Sequence, residues 1–342
     1  MDYEEIMQSI TSGLTGVAKT DIKYLMDKSE EYKTHELSQE ILRGIGRLIF
    51  EIVPKEKQAE LNAAIQSDQL GISTVIEEAE FQIYRKNFDK ALEILEALIA
   101  KGEDENGNRI IFIDDTVSEY HAFDNYFEEI LYKELFQPTR TVRNMPENFY
   151  QLYSIYGALL VELKHFDEAK VALEKAIEIN PIGVDAIFEL AEISKLNSEW
   201  DQYLALTKRC LHVAYTGKHV SRCFRNFGYY YVEQKDFNLA AALYLVSGEY
   251  DKETTMSQSQ LFYIQHVSGK PIPKFTHATI CKLFEKEGIP TGPNNDVIGI
   301  AYSLGKLMAD NGNNEGARYL FSIVYDLTES DEIKAMLDSL PK

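Results

Sequence analysis

The sequence predicts an all-α protein built from repeated helical hairpins. Two observations carry that prediction. First, a short phrase recurs: Asn87-Phe88-Asp89-Lys90-Ala91, Phe166-Asp167-Glu168-Ala169 and Asp236-Phe237-Asn238-Leu239-Ala240, with weaker copies at Trp200-Asp201-Gln202-Tyr203 and Asn314-Glu315-Gly316-Ala317. The final residues of successive phrases are 78, 34, 37 and 77 positions apart, close to one or two helical-hairpin units each. Second, the apolar period is helical. Tyr153, Tyr156, Gly157 and Leu160 fall at i, i+3, i+4 and i+7, and Ala169, Leu173, Ala176 and Ile177 mark a second stripe. Neither stripe can be buried by its own helix, so the two pair as a hairpin and stack on neighbours.

Taken in order, residues 1–67 read as an N-terminal helical bundle or cap, with an apolar stripe at Leu37, Ile41, Ile45, Leu48 and Ile52 and a break before Pro54. A solenoid over 68–342 follows, with an insertion at about 106–149. That insertion opens on Asn106-Gly107-Asn108. It continues through the apolar run Ile110-Ile111-Phe112-Ile113, read as a loop with a short extended piece, and a helix is expected over 118–136. The unit at 150–183 is the clearest, and Pro181 helps end its second helix. Gly157 in mid-helix costs roughly 1 kcal/mol against alanine, which asks for a close helix crossing. Ala278 divides the last long step into two and predicts one further unit there.

Residues 150–183 resemble a tetratricopeptide repeat, on Tyr153, Tyr156-Gly157, Leu160, Phe166, Ala169, Leu173, Ala176 and Pro181. Around Ala91 and Ala240 the match is good, with Ala79 and Gly228 in the place of Gly157. Around Tyr203 only Ala191 fits, and around Ala317 Gly305 fits. The resemblance covers roughly 72–105 and 150–331. It implies a right-handed α-α superhelix, a TPR-like helical-hairpin solenoid, whose first helices line a concave groove that holds peptides or partner proteins. By register the groove positions are Ser154 and Ala158, Phe188 and Glu192, and Arg225 and Tyr229, with Arg222 and Asn226 beside the last two. Some members clamp a partner's C-terminal carboxylate with Lys and Asn. Here Ser154 and Ala158 stand at the earliest of those places, so the clamp is incomplete.

Composition narrows the function classes. Hydrophobic residues make up 45% and aromatics 11%, enough for a packed core. The net charge is −20, which argues against nucleic acid and against anionic membrane surfaces. Residues 1–67 hold 12 acids against 8 Lys and Arg, which disfavours a DNA-binding head. No apolar run approaches the ~20 residues that span a bilayer. The three cysteines, Cys210, Cys223 and Cys281, include no CxxC pair. That count suits a reducing compartment, and the chain is expected in the cytoplasm.

No catalytic set emerges from the sequence. There is no phosphate-binding glycine loop and no HExxH, and the seven histidines show no ligand spacing. Glu77-Glu78 and Glu128-Glu129 read as solvated pairs, because helix neighbours point apart. The chain is expected to be no enzyme and to need no cofactor or metal. One stretch stands out: 202–232 has no Asp or Glu in a chain with 55 acids, and holds Lys208, Arg209, Lys218, Arg222 and Arg225. It points to a protein or peptide partner with an acidic or carboxylate-bearing segment, taken by Arg222, Arg225, Asn226 and Tyr229. The internal explanation is that these cations neutralise acids of adjacent units, such as Glu189 and Glu192. The expected role is an adaptor or scaffold. The alternative is a peptide-sensing regulator that changes shape on binding.

Overall fold

The computed structural model describes residues 3–33, 35, 38, 41, 45, 48, 49, 52, 72–104, 107–109 and 111–341. It divides into two compact units, Met1–Gly71 and Ile72–Lys342. In the first, α1 (Tyr3–Ser12) and α2 (Ala18–Glu31) present Ile6, Ile10 and Leu25 to Ile41 and Ile45, all 1% exposed or less. Leu48 and Ile52 pack against them, while Leu37 and Pro54 lie outside the described residues. The turn between the helices is held by Asp21, whose carboxylate accepts from the Thr15 and Gly16 amides.

In the second unit five hairpins share one register. They are α3 (Ile72–Tyr84) with α4 (Phe88–Ile99), α6 (Phe149–Glu162) with α7 (Phe166–Ile179), α8 (Val184–Leu196) with α9 (Trp200–Val213), α10 (Gly217–Glu233) with α11 (Phe237–Tyr250), and α14 (Asn295–Asp310) with α15 (Asn314–Thr328). The first helices place Ala79, Gly157, Ala191, Gly228 and Gly305 at the crossing. Sixteen residues later in each hairpin stand Leu95, Leu173, Thr207, Tyr244 and Phe321. The small residues are required by space. A Cβ on Gly157 would lie 2.6 Å from Leu173, on Gly228 2.9 Å from the Tyr244 ring, and on Gly305 2.8 Å from the Phe321 ring. Each hairpin also turns through a left-handed residue at the same register: Lys86 (φ 61), Lys164 (φ 64), Ser198 (φ 59), Lys235 (φ 60) and Gly312 (φ 77). Side chains of Asp236 and Asn313 then cap the following helix by accepting its Leu239 and Gly316 amides. In the α8–α9 hairpin Tyr203 stands where the second helices of the other units carry Ala91, Ala169, Ala240 and Ala317. It is 2% exposed and its hydroxyl donates to the Asn226 carbonyl.

The second unit is thus an array of helical hairpins, in which consecutive helices from α6 to α12 (Met256–Ser268) pack on one another. The unit expected around Ala278 does not form in that register. Between α12 and α13 (His277–Lys286) runs a loop with Pro271 and Pro273. Ala278 is exposed, and α13 buries Phe284 instead. The chain closes with α16 (Asp331–Ser339), packed on α15.

The insertion differs from expectation. Residues 118–136 are not one helix: β1 (Ser118–His121) and β2 (Thr141–Asn144) pair in parallel across α5 (Tyr126–Phe136). Asp115 and Asp114 accept the Val117, Ser118 and Tyr120 amides, which keeps the backbone extended there. Asn125 caps α5 by accepting the Phe127 and Glu128 amides. The segment 111–113 forms no strand; Phe112 packs between the rings of Tyr120 and Phe149.

Glu128 is no solvated residue either. It is 3% exposed and accepts from Tyr215 Oη (2.8 Å), Asn180 Nδ2 (2.7 Å) and the Asp124 amide (2.9 Å). Ala122 donates to the Ile179 carbonyl, and α5 packs on α14. The insertion is therefore tied to the turn after α7, the turn after α9 and the last hairpin.

Candidate functional site

The first helices α6, α8 and α10 carry the positions expected to face a partner. Ser154 and Ala158 on α6 are half-buried and line a pocket of about 490 Å³ with Tyr150, Asp124, Asp185 and Glu189. Tyr150 and Asp185 lie one helical turn before Ser154 and Glu189, so extending the same face by four residues finds them in the sequence. Asp124 belongs to the insertion, and no helical register brings it here. Glu80 of α3 completes the acidic rim.

Phe188 is 1% exposed and so belongs to the core. The Arg222 guanidinium lies over its ring at 4.3 Å from the centroid, and Nη2 of the same arginine is 3.2 Å from Glu189 Oε1. Glu192 pairs with Lys195, whose ammonium lies 5.0 Å from the Tyr229 ring centroid. Arg225 donates to Ser221 Oγ (2.6 Å) and stands 3.8 Å from Asp251. Asn226 is half-buried, and its carbonyl accepts from Tyr203. Tyr229 is half-exposed among Trp200 and Tyr203.

The structure brings Ser154, Ala158, Glu189 and Arg222 into one continuous patch, and Glu192, Lys195 and Tyr229 into a second. Arg225 turns toward α11 and Asp251. Both Arg222 and Arg225 are matched to internal carboxylates. Burial holds the Arg225 guanidinium below its ordinary value, with Asp251 opposing. Burial, and then the neighbouring Asp185, lifts the Asp124 carboxyl above the usual range.

Cys210 and Cys223 are buried and free, as small apolar residues. Among the described residues no three His, Cys, Asp or Glu side chains gather to hold a metal. No described helix is long and apolar enough to cross a membrane.

No protein-family model and no curated protein matches the chain. Solved structures with a similar chain path include a tetratricopeptide repeat protein from Parabacteroides merdae, 11% identical, with a TM-score of 0.41 over 93% of this chain and 97% of that one. Pseudomonas aeruginosa pilF is 19% identical, with a TM-score of 0.32 over 55% and 81%. YrrB, described as a TPR protein with an unusual peptide-binding site, is 14% identical, with a TM-score of 0.30 over 63% and 99%.

Proposed function

We propose that this chain is a non-catalytic binding module, an adaptor or scaffold of the cytoplasm that holds a segment of another protein along the groove of α6, α8 and α10. One observation carries the reading. The outward residues of these three first helices form a connected surface, from Ser154 and Ala158 through Glu189 to Arg222, on successive units of one array.

Pull-down with mass spectrometry on the full chain identifies the partner, and two variants then test the groove. Ala158→Trp fills the groove and should abolish capture. Glu174→Trp, on the exposed face of α7, should leave it intact. Equal capture by both variants would refute the reading.

A second reading keeps the groove and assigns an acidic or carboxylate-bearing segment to Arg222, Arg225, Asn226 and Tyr229. It is supported by the acid-free stretch 202–232. On that reading a partner carboxylate exchanges with Glu189 at Arg222 and with Asp251 at Arg225. The sensing alternative, a peptide-driven change of shape, is tested by small-angle scattering with and without the captured partner.

A further inference from the structure

The groove carries surplus negative charge beside α6. Glu80, Asp124, Asp185 and Glu189 line the pocket there, and no Lys, Arg or His does. Of the four, Glu189 is matched by Arg222, and Asp124 accepts only the neutral Asn148 amide at 2.7 Å. Glu80 and Asp185 have neither a hydrogen bond nor an ion pair among the described residues. His219 stands near Asp185, but burial lowers its pKa and leaves the imidazole neutral. The crowding shows in Asp124, whose carboxyl burial and then Asp185 push upward.

A second observation is independent of that charge. Two buried hydroxyls in the pocket wall, Tyr150 Oη on a side chain 3% exposed and Ser154 Oγ, make no well-formed hydrogen bond and have only each other and the Ala186 backbone as polar neighbours. A buried polar group left unpaired costs about 1–3 kcal/mol. A ligand that brings positive charge and N–H donors answers both the carboxylates and the hydroxyls. A bare metal ion does not fit, because the carboxylates do not converge as ligands.

We propose that this pocket receives a positively charged side chain, lysine or arginine, of the protein segment held in the groove. The proposal rests on the groove reading above and assigns its charge. Carboxylates without internal partners bind a cation more readily than the matched pairs at Arg222 and Arg225 bind an anion, since no existing ion pair has to break. The lysine or arginine stem would lie along Ile155 and Ala158, with its head among Asp124, Asp185 and the hydroxyls.

The test uses the full chain and three short fluorescein-labelled peptides on one Ala-Gly-Ser frame, carrying lysines, glutamines or glutamates at the same positions. Fluorescence anisotropy is read at physiological ionic strength. The lysine peptide should bind roughly tenfold or more tightly than the glutamine peptide. The double variant Asp124→Asn/Asp185→Asn should remove that advantage while its melting temperature holds. Glu174→Gln/Glu178→Gln removes equal charge from the exposed face of α7 and should change little. Equal loss in both double variants would assign the binding to the chain's overall field and overturn the proposal. With no lysine preference but partner capture still abolished by Ala158→Trp, the groove stands and the cation assignment falls. If no peptide binds and Ala158→Trp leaves capture intact, both fall.

Discussion

Replacing Glu128 by alanine tests whether the insertion is fastened through one buried carboxylate. The substitution strands three donors: Asn180 Nδ2, the Asp124 amide and Tyr215 Oη. Asn180 is fully buried, at 0% exposed, and Tyr215 is half-buried. Each buried donor left unpaired costs about 1–3 kcal/mol. Against this, alanine releases a buried charge whose carboxyl is pushed above its ordinary value by burial and then by Asp124. The balance is a loss of about 2–4 kcal/mol. In a unit of this size that corresponds to a fall of about 5–10 °C in melting temperature. The adjacent Glu129 is the control. It serves Lys133 and Asn144 near the surface, so Glu129→Ala should cost less than about 1 kcal/mol. Calorimetry gives the stability, and hydrogen exchange of the α5 amides reports local release, since repeat arrays can open in parts. The reasoning is refuted if Glu128→Ala melts within about 1 °C of the parent with α5 protection unchanged. It is equally refuted if Glu129→Ala falls as far.

Further expectations follow from the helix crossings and from the same carboxylate. Gly157→Ala places a methyl 2.6 Å from Leu173 and should cost ~1–3 kcal/mol by denaturant melt, whereas Gly299→Ala meets nothing within 4 Å and should gain up to ~1 kcal/mol. Lys164→Gly relieves a left-handed residue and should stabilise by ~0.5–1 kcal/mol in the same assay. Because the folded Glu128 carboxyl sits above 4.5, the folded state holds its proton more tightly than the unfolded chain. Its contribution is therefore full below that value and lost as pH rises through the folded pKa. Urea midpoints of the parent should drop relative to Glu128→Gln across that window, and parallel curves would contradict the assignment.

The hairpins were legible because their defining contacts are local. Gly157 meets Leu173 sixteen residues on, across a single turn, and a helical period records that distance directly. Even the degenerate α8–α9 unit keeps the register, with Ala191 at the crossing and Tyr203 buried where the other second helices carry alanine. The insertion was not legible. Ser118 pairs with Thr141 across a whole helix, and Glu128 finds Asn180 and Tyr215 at 52 and 87 residues' distance. A sequence window shows Glu128 and Glu129 as equals, and only the partners separate them. The candidate site was half legible. Ser154 and Ala158 lie where the register puts them, but Phe188 is roofed by Arg222 and the acidic wall needs Asp124 from outside the repeats.

A stack whose members touch only the next in line behaves as a coil spring, free to lengthen and shorten at little cost. The insertion is fixed to that spring beyond α7, beyond α9 and against α14, and acts as a strut laid along it. Stretching the coil would mean pulling Tyr215 from Glu128, or parting Tyr126 from Tyr319, whose rings lie 5.7 Å apart. The strut thus ties the turns after α7 and α9 to α14. Losing the strut would slacken the coil and take Asp124 out of the pocket wall at the same time.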